Sequence, residues 1–230
     1  MTTDMNLNPS SIATVAKTRA GLYSFIALHF NHVVNAEFVD NIRDARFSDM
    51  LHAIADGRDS EDPLTIGAVL MAVFVEKTRG DDRQSVADRL GVERTRLYRG
   101  LSPNHGPTPP YEALWTGRAE NPVFLHGLAQ CYQQAGVELV SKCHERLDYL
   151  GVELDFMRLL AEREAAAWEA KNEEVAASLY MMQKTFFDEH LSGWTVRFVE
   201  KALESAKSDF YRAHLHMLEG LLETEKQILI

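Results

Sequence analysis

Three acidic residues, Asp148, Glu153 and Asp155, lie close together in the segment 148–155, which reads DYLGVELD. Carboxylates can pair with arginine side chains of a binding partner. They can also be structural, because Asp148 could cap a helix that begins near Leu150, with Glu153 in its first turn. The two roles are compatible, since the segment that bears Asp148 is expected to be accessible.

Aromatic side chains form a second group. Tyr111 and Trp115 follow a Pro-Pro pair at 109–110, and Leu97 and Tyr98 lie upstream of it. A groove with an aromatic floor and an acidic rim could bind an apolar, basic peptide. Alternatively, these residues are core anchors at helical spacing. From the residue types alone, both interpretations stay open.

A third group consists of His190, Trp194 and Phe198, which are spaced to lie along one helix face. A histidine beside the acids at 188–189 could take part in acid–base chemistry. A histidine in an aromatic stripe is more often a core or hydrogen-bonding residue, so the sequence favours structural support as the role of His190 and Trp194.

The sequence contains no recognisable catalytic or metal-binding motif. His126, Cys131, Cys143 and His144 could be assembled into a metal site, but their spacing matches no compact zinc pattern. No glycine-rich phosphate loop and no GxSxG nucleophile motif occur. The sequence therefore predicts no catalytic residue, no metal and no cofactor, and we interpret the chain as a protein that is not an enzyme.

An arginine-rich segment, residues 83–100, gives the main alternative. It suggests two short helices around a turn at Gly91, with Arg94, Arg96 and Arg99 where they could face phosphate or guanine. That arrangement is typical of a helix-turn-helix regulator that binds DNA. Any helical corner gives the same pattern, however, and the acidic balance of the chain argues against nucleic acid as a partner.

The bulk composition is that of a globular protein with a substantial core. The chain has 230 residues, of which 46% are hydrophobic, and a formal net charge of −10. Its two cysteines favour reduced thiols over a disulfide scaffold. The polar segment 1–9 has no export signal, which predicts a cytoplasmic protein. The most apolar run, 66–75, is too short to span a bilayer, so no stable membrane insertion is expected.

Helical periodicity dominates the chain and predicts an all-α fold, a single helical bundle of about ten helices. Asn-Pro or Asp-Pro pairs at 8–9, 62–63 and 121–122 predict three helix starts. We expect one helix over 37–55, and a break near 205–208 in the last helical segment. The expected boundaries of the one domain, 1–230, are an N-terminal helical half at 9–136, a linker at 137–150 and a C-terminal half at 151–229.

Three segments in this order resemble a known family. They are 97–100 with 109–115 (LYRG and PPYEALW), 145–157 (ERLDYLGVELDFM), and 190–198 with 210–212 (HLSGWTVRF and FYR). Their order is similar to the motifs of the TorD/DmsD/NarJ group of redox-enzyme maturation chaperones, with the TorD-like branch the most similar. Tyr149 stands where the family usually has histidine, and Val196 where proline is common.

The resemblance implies a cytoplasmic chaperone for a molybdopterin-containing oxidoreductase. Its partners would be the apo catalytic subunit and the N-terminal twin-arginine signal peptide of that client, and it would act as a monomer or a domain-swapped homodimer. Asp148 and Glu153 would face the arginines of the signal, and Tyr149 could stack on a guanidinium. The residues expected to contact the client are Leu97, Tyr98, Tyr111, Trp115, Asp148, Tyr149 and Glu153.

Overall fold

The computed structural model describes residues 8–100, 106–119, 121–137 and 146–230, and in that part of the chain the fold is all-α. Parts of the predicted loop at 100–110 and linker at 137–150, including Cys143 and His144, lie outside these ranges. The helices are α1 (Pro9–Asn31), α2 (Ala36–Ile42), α3 (Ala45–Ala55), α4 (Pro63–Lys77), α5 (Arg83–Tyr98), α6 (Glu112–Trp115), α7 (Pro122–Gln134), α8 (Leu150–Glu169), α9 (Glu173–Phe186), a π-helical turn (Phe187–Leu191), α10 (Thr195–Ser205) and α11 (Asp209–Ile228).

Local capping chemistry sets where several helices begin. Asn8, Asp62 and Asn121 each accept a hydrogen bond from the backbone N–H two residues further on, and each is followed by proline. The cap satisfies one of the free amides of the first turn, and proline has no amide to lose there. The three helix starts predicted from the sequence are therefore confirmed, as is the break between α10 and α11.

The two halves of the chain pack against each other through long helices. α1 lies along α8, and α4 lies along α11. The contact between α4 and α11 is close because glycine faces the partner helix on both sides. A Cβ atom on Gly67 would lie 2.8 Å from the carbonyl oxygen of Ala213, and one on Gly220 would lie 2.8 Å from the amide nitrogen of Leu64.

Two expectations about helices are wrong. The segment 37–55 is not one helix, because Asp44 accepts from the amide of Arg46 and starts α3 as a separate helix. The segment 83–98 is one continuous helix, α5, so Gly91 makes no turn and the helix-turn-helix alternative fails. Its buried Arg94 donates to the carbonyl oxygens of His29 and Phe30 at the end of α1 and is not available to DNA.

A buried network of charges joins four helices. Arg19 on α1 donates twice to Glu225 on α11, at 2.7 Å in each case, and once to Glu164 on α8 at 3.0 Å. Gln183 on α9 accepts from Arg19 and donates to Glu164, both at 2.8 Å. Burial works to lower the pKa of Arg19, but the hydrogen bond and charge of Glu225 raise it above its usual value. The network therefore fixes how α1, α8, α9 and α11 meet.

We expect Arg19→Met to lower the free energy of unfolding by about 3–5 kcal/mol, because Glu164 and Glu225 would stay buried without their cation. Urea unfolding measures this. The control is Lys17→Met, which removes an exposed ion pair with Glu169 and should cost about 0–1 kcal/mol. Similar losses in the two variants would show that the buried network does not hold the bundle together.

Candidate functional site

Two of the segments singled out in the sequence lie side by side. Residues 109–115 and 146–153 meet through an isolated antiparallel bridge between Tyr111 and Tyr149. The amide of Leu150 donates to the carbonyl oxygen of Pro110 at 2.9 Å, and the amide of Glu112 donates to that of Asp148 at 2.8 Å. We call these two segments together the motif junction.

The buried carboxylate of Asp148 holds the two segments of the junction together. Its carboxylate accepts from the amide of Ala113 at 3.1 Å and from two guanidinium nitrogens of Arg146, each at 2.9 Å. A bidentate pair of this kind is strong and has a fixed orientation. The expectation that Asp148 caps the helix near Leu150 is wrong, because α8 begins without a side-chain cap and Asp148 bonds the first turn of α6 instead.

The junction contains a pair of buried carboxyl groups, Glu112 and Glu153. Both oxygens of Glu153, and Oε1 of Glu112, have no hydrogen-bond donor among the described residues. Burial, the charge of Glu112, a hydrogen bond to Glu112 and the charge of Asp148 raise the pKa of Glu153 well above its usual value. A protonated Glu153 can donate one hydrogen bond to Oε1 of Glu112, which gives that oxygen and one oxygen of Glu153 a partner.

Glu112 also ties the junction to the C-terminal helices. Its Oε2 lies 2.9 Å from Nδ1 of His190 in the π-helical turn, and its Oε1 lies 3.7 Å from Arg118. The other ring nitrogen of His190, Nε2, lies 4.0 Å from the sulfur of Cys131 on α7. His190 thus links α6, α7 and the π-helical turn.

The aromatic residues of the junction rest on a rigid base. The indole of Trp115 stacks on that of Trp194, with 6.4 Å between ring centroids, and donates to the carbonyl oxygen of Pro109 at 3.0 Å. Trp194 itself is buried and donates to the carbonyl oxygen of His190. Tyr111 lies between the ring of Tyr149 and the guanidinium of Arg146. The expected structural support by His190 and Trp194 is compatible with these contacts.

The predicted client-binding residues differ in their accessibility. Five of them are buried, namely Leu97, Tyr98, Asp148, Tyr149 and Glu153. Tyr111 and Trp115 are partly exposed. Among the described residues, Arg146 in the junction and Arg118 just after α6 carry charge to the solvent, since their side chains are 44% and 49% exposed. A direct contact of Asp148 or Glu153 with a partner would require the junction to open, and their role in binding stays a prediction.

Sequence reasoning does not single out Glu112, Arg118 or Arg146 as site residues. Glu112 stands within the Pro-Pro-Tyr-Glu run that carries the family resemblance, and this was the one signal that could have found it. For the metal site weighed in the sequence, no group of three or more histidine, cysteine or acidic side chains among the described residues is placed to hold a metal ion. Within those same ranges, no helix has the length and apolar character needed to cross a bilayer.

Glu153→Gln is expected to raise the free energy of unfolding at pH 7 by about 0.5–2 kcal/mol. Because the pKa of Glu153 is raised in the folded state, its contribution to the free energy of unfolding is fully present below its pKa in the unfolded chain, about 4.3. That contribution is lost as the pH rises from there through the folded-state pKa. Glutamine keeps a donor without ionising.

The measurement is urea unfolding between pH 4 and 8, with exposed Glu223→Gln as the control. The gain from Glu153→Gln should shrink toward pH 4, while the control stays near zero throughout. A gain that is independent of pH would contradict a protonated Glu153.

The model of the family described as nitrate reductase delta subunit matches residues 65–200, which is more than half of the chain and includes both segments of the motif junction. A search of curated protein sequences gives no significant match. The family match confirms the resemblance to redox-enzyme maturation chaperones. The chain belongs to the nitrate reductase delta subunit family.

Proposed function

We propose that this protein is a cytoplasmic chaperone that binds the apo catalytic subunit of a molybdopterin-containing oxidoreductase. The family match over residues 65–200 carries this proposal. In it, the protein assists folding and cofactor insertion before the client is assembled or exported, and it also binds the N-terminal signal peptide of the client. It acts by binding and not by turnover, as a monomer or a domain-swapped homodimer.

The motif junction supports a binding role because its partly exposed aromatic side chains are already held in place. Trp115 is fixed by its stacking on Trp194 and its hydrogen bond to Pro109, and Tyr111 is fixed between Tyr149 and Arg146. Ordering a flexible side chain on binding costs about 0.5–1.5 kcal/mol. Side chains that are ordered beforehand avoid most of that cost, so Tyr111 and Trp115 are suited to anchor a client.

The buried members of the predicted site then act by shaping the surface above them. Asp148 orients Arg146, and Arg146 covers the ring of Tyr111. The hydroxyl of Tyr149 donates to the carbonyl oxygen of Phe30 at 2.8 Å and anchors the junction to α1. Leu97, Tyr98 and Glu153 complete the base in this proposal.

The test of the function is an affinity pull-down of the tagged full-length protein from its own host under respiratory growth, followed by mass spectrometry. We expect one large oxidoreductase subunit, enriched in its form without the molybdenum cofactor. Recovery of no molybdoenzyme subunit under conditions in which the host makes one would contradict the proposal.

Trp115→Ala and Tyr111→Ala are expected to reduce client recovery at least about tenfold, because aromatic anchors at the centre of an interface are commonly worth 2 kcal/mol or more. The matched control is Trp168→Ala, which removes another partly exposed tryptophan, on α8 and outside the junction. Equal recovery with all three variants would remove the junction from the interface.

A further inference from the structure

A carboxylate, an imidazole and a thiol lie in contact beside the motif junction. Oε2 of Glu112 on α6 lies 2.9 Å from Nδ1 of His190 in the π-helical turn, and Nε2 of His190 lies 4.0 Å from the sulfur of Cys131 on α7. The fold brings them together although Glu112 and Cys131 are 78 and 59 residues from His190 in the sequence. Acid, base and nucleophile in this order form the arrangement that activates a cysteine.

The orientation of His190 suits it to act as a base toward the thiol. Its Nδ1–H donates to the carboxylate of Glu112, so the lone pair of the neutral ring is on Nε2, the atom that contacts the sulfur. The rings of Phe186 and Phe124 pack against the imidazole, with centroids 4.8 and 6.3 Å away. Hydrogen bonds between a nucleophile and its base are often long before a reactant binds, so the separation of 4.0 Å is compatible with proton transfer.

The thiol of Cys131 needs such a base in order to react. Burial and the charges of Glu189 and Glu112 raise its pKa, so it stays protonated at neutral pH. Because the thiolate is the nucleophile, a thiol of this kind would react slowly without help. His190 can take the proton as the sulfur attacks, and the carboxylate of Glu112 then faces the imidazolium that forms.

A groove between α7 and α9 gives reactants access to Cys131. Its volume is about 290 Å³, and we call it the α7–α9 groove. Its apolar lining includes Phe156, Met181, Met182 and Phe186. Among the described residues that line it, the charged one is Glu189. A water molecule takes up about 30 Å³ in the liquid, so the groove has room for a small organic molecule. The lining favours a molecule that is neutral and partly apolar.

We propose that Cys131 is a reversible oxidation site for small organic hydroperoxides, with His190 as its base and Glu112 as a positioning residue. The sulfur attacks the terminal oxygen of the hydroperoxide, a sulfur–oxygen bond forms, and the oxygen–oxygen bond breaks. The thiol proton passes through His190 to the leaving alkoxide, so the products are a cysteine sulfenic acid and an alcohol. The sulfur loses two electrons and the peroxide gains them. Two molecules of a low-molecular-weight thiol restore Cys131, through a mixed disulfide and the release of water.

This site is separate from client binding but lies next to the surface proposed for it. The π-helical turn that carries His190 is a rare type of structure that recurs at functional sites. A sulfenic acid on Cys131 places a polar oxygen beside the contact between His190 and Glu112, which holds α6 in place. Oxidation therefore changes the groups on which the position of the motif junction depends.

The rate at which Cys131 is oxidised tests the proposal. In a Cys143→Ser background, Cys131 is the one cysteine in the sequence. The folded protein is treated with tert-butyl hydroperoxide, and the sulfenic acid is trapped with dimedone and located by peptide mass spectrometry, which distinguishes it from oxidised methionine. At pH 7 we expect Cys131 to react at least about tenfold faster than glutathione, because a positioned base contributes about 10²–10⁴-fold. Its raised pKa alone would make it slower.

His190→Asn is expected to lower the rate at pH 7 at least about tenfold. The loss should shrink toward pH 10, because the thiol then ionises without a base. Glu112→Gln should lie between wild type and His190→Asn, since an amide can still orient Nδ1–H but does not stabilise an imidazolium. The matched control is His126→Asn, at an exposed histidine on the same helix as Cys131, which should leave the rate unchanged.

The choice of peroxide tests the lining of the groove. Relative to glutathione, Cys131 should prefer tert-butyl hydroperoxide to hydrogen peroxide at least about fivefold, because the methyl groups leave water in the groove. Met181→Lys, at a methionine that is 53% exposed, should reduce this preference. Met50→Lys, at a methionine that is 36% exposed on α3, should not.

A rate no higher than that of glutathione would overturn the proposal, as would a folded His190→Asn variant that reacts like wild type at every pH. A peroxide preference equal to that of glutathione would also overturn it. If His190→Asn does not fold, the comparison of wild type with glutathione still decides. None of these outcomes depends on whether a pull-down recovers a client.

Discussion

The carboxylate of Glu112 is buried, and a buried charge has to be paired or partly neutralised if the fold is to be stable. Its partners come from distant parts of the chain: His190 from the π-helical turn, Glu153 from α8 and Arg118 from the segment after α6. Each of these contacts holds α6 in place, and α6 carries the aromatic surface of the junction. The positions of Trp115 and Tyr111 therefore depend on the hydrogen bonds and charges that pair with the carboxylate of Glu112.

The need to pair buried carboxylates also determines which charged side chains at the junction are buried and which are exposed. The acids at the junction point inward, where Asp148 and Glu153 are buried, and the arginines that balance them reach the solvent. In the described part of this acidic chain, arginine and aromatic side chains therefore reach the surface at the motif junction.

Interactions that are local in the sequence could be predicted, and those that join distant residues could not. Helical periodicity gave the all-α class, and Asn-Pro and Asp-Pro pairs gave the starts of α1, α4 and α7, because a cap bonds within its own first turn. The continuity of α5 could not be predicted, because glycine is found in turns but is also tolerated inside a helix. The hydrogen bond from Arg94 to the end of α1 joins residues that are distant in the sequence, so it leaves no local signal. Asp148 was assigned to α8, the helix next to it in sequence, because a cap across 35 residues leaves no local signal.

In the function that we propose, the client oxidoreductase subunit binds at the motif junction. Hydrogen–deuterium exchange of the protein, with and without the purified apo subunit recovered from its host, locates the surface that the subunit covers. Binding at the junction is expected to slow exchange in residues 109–119 and 146–153, with little change in α2 and α3. Protection confined to α2 and α3, or none at a client concentration that saturates binding, would contradict it.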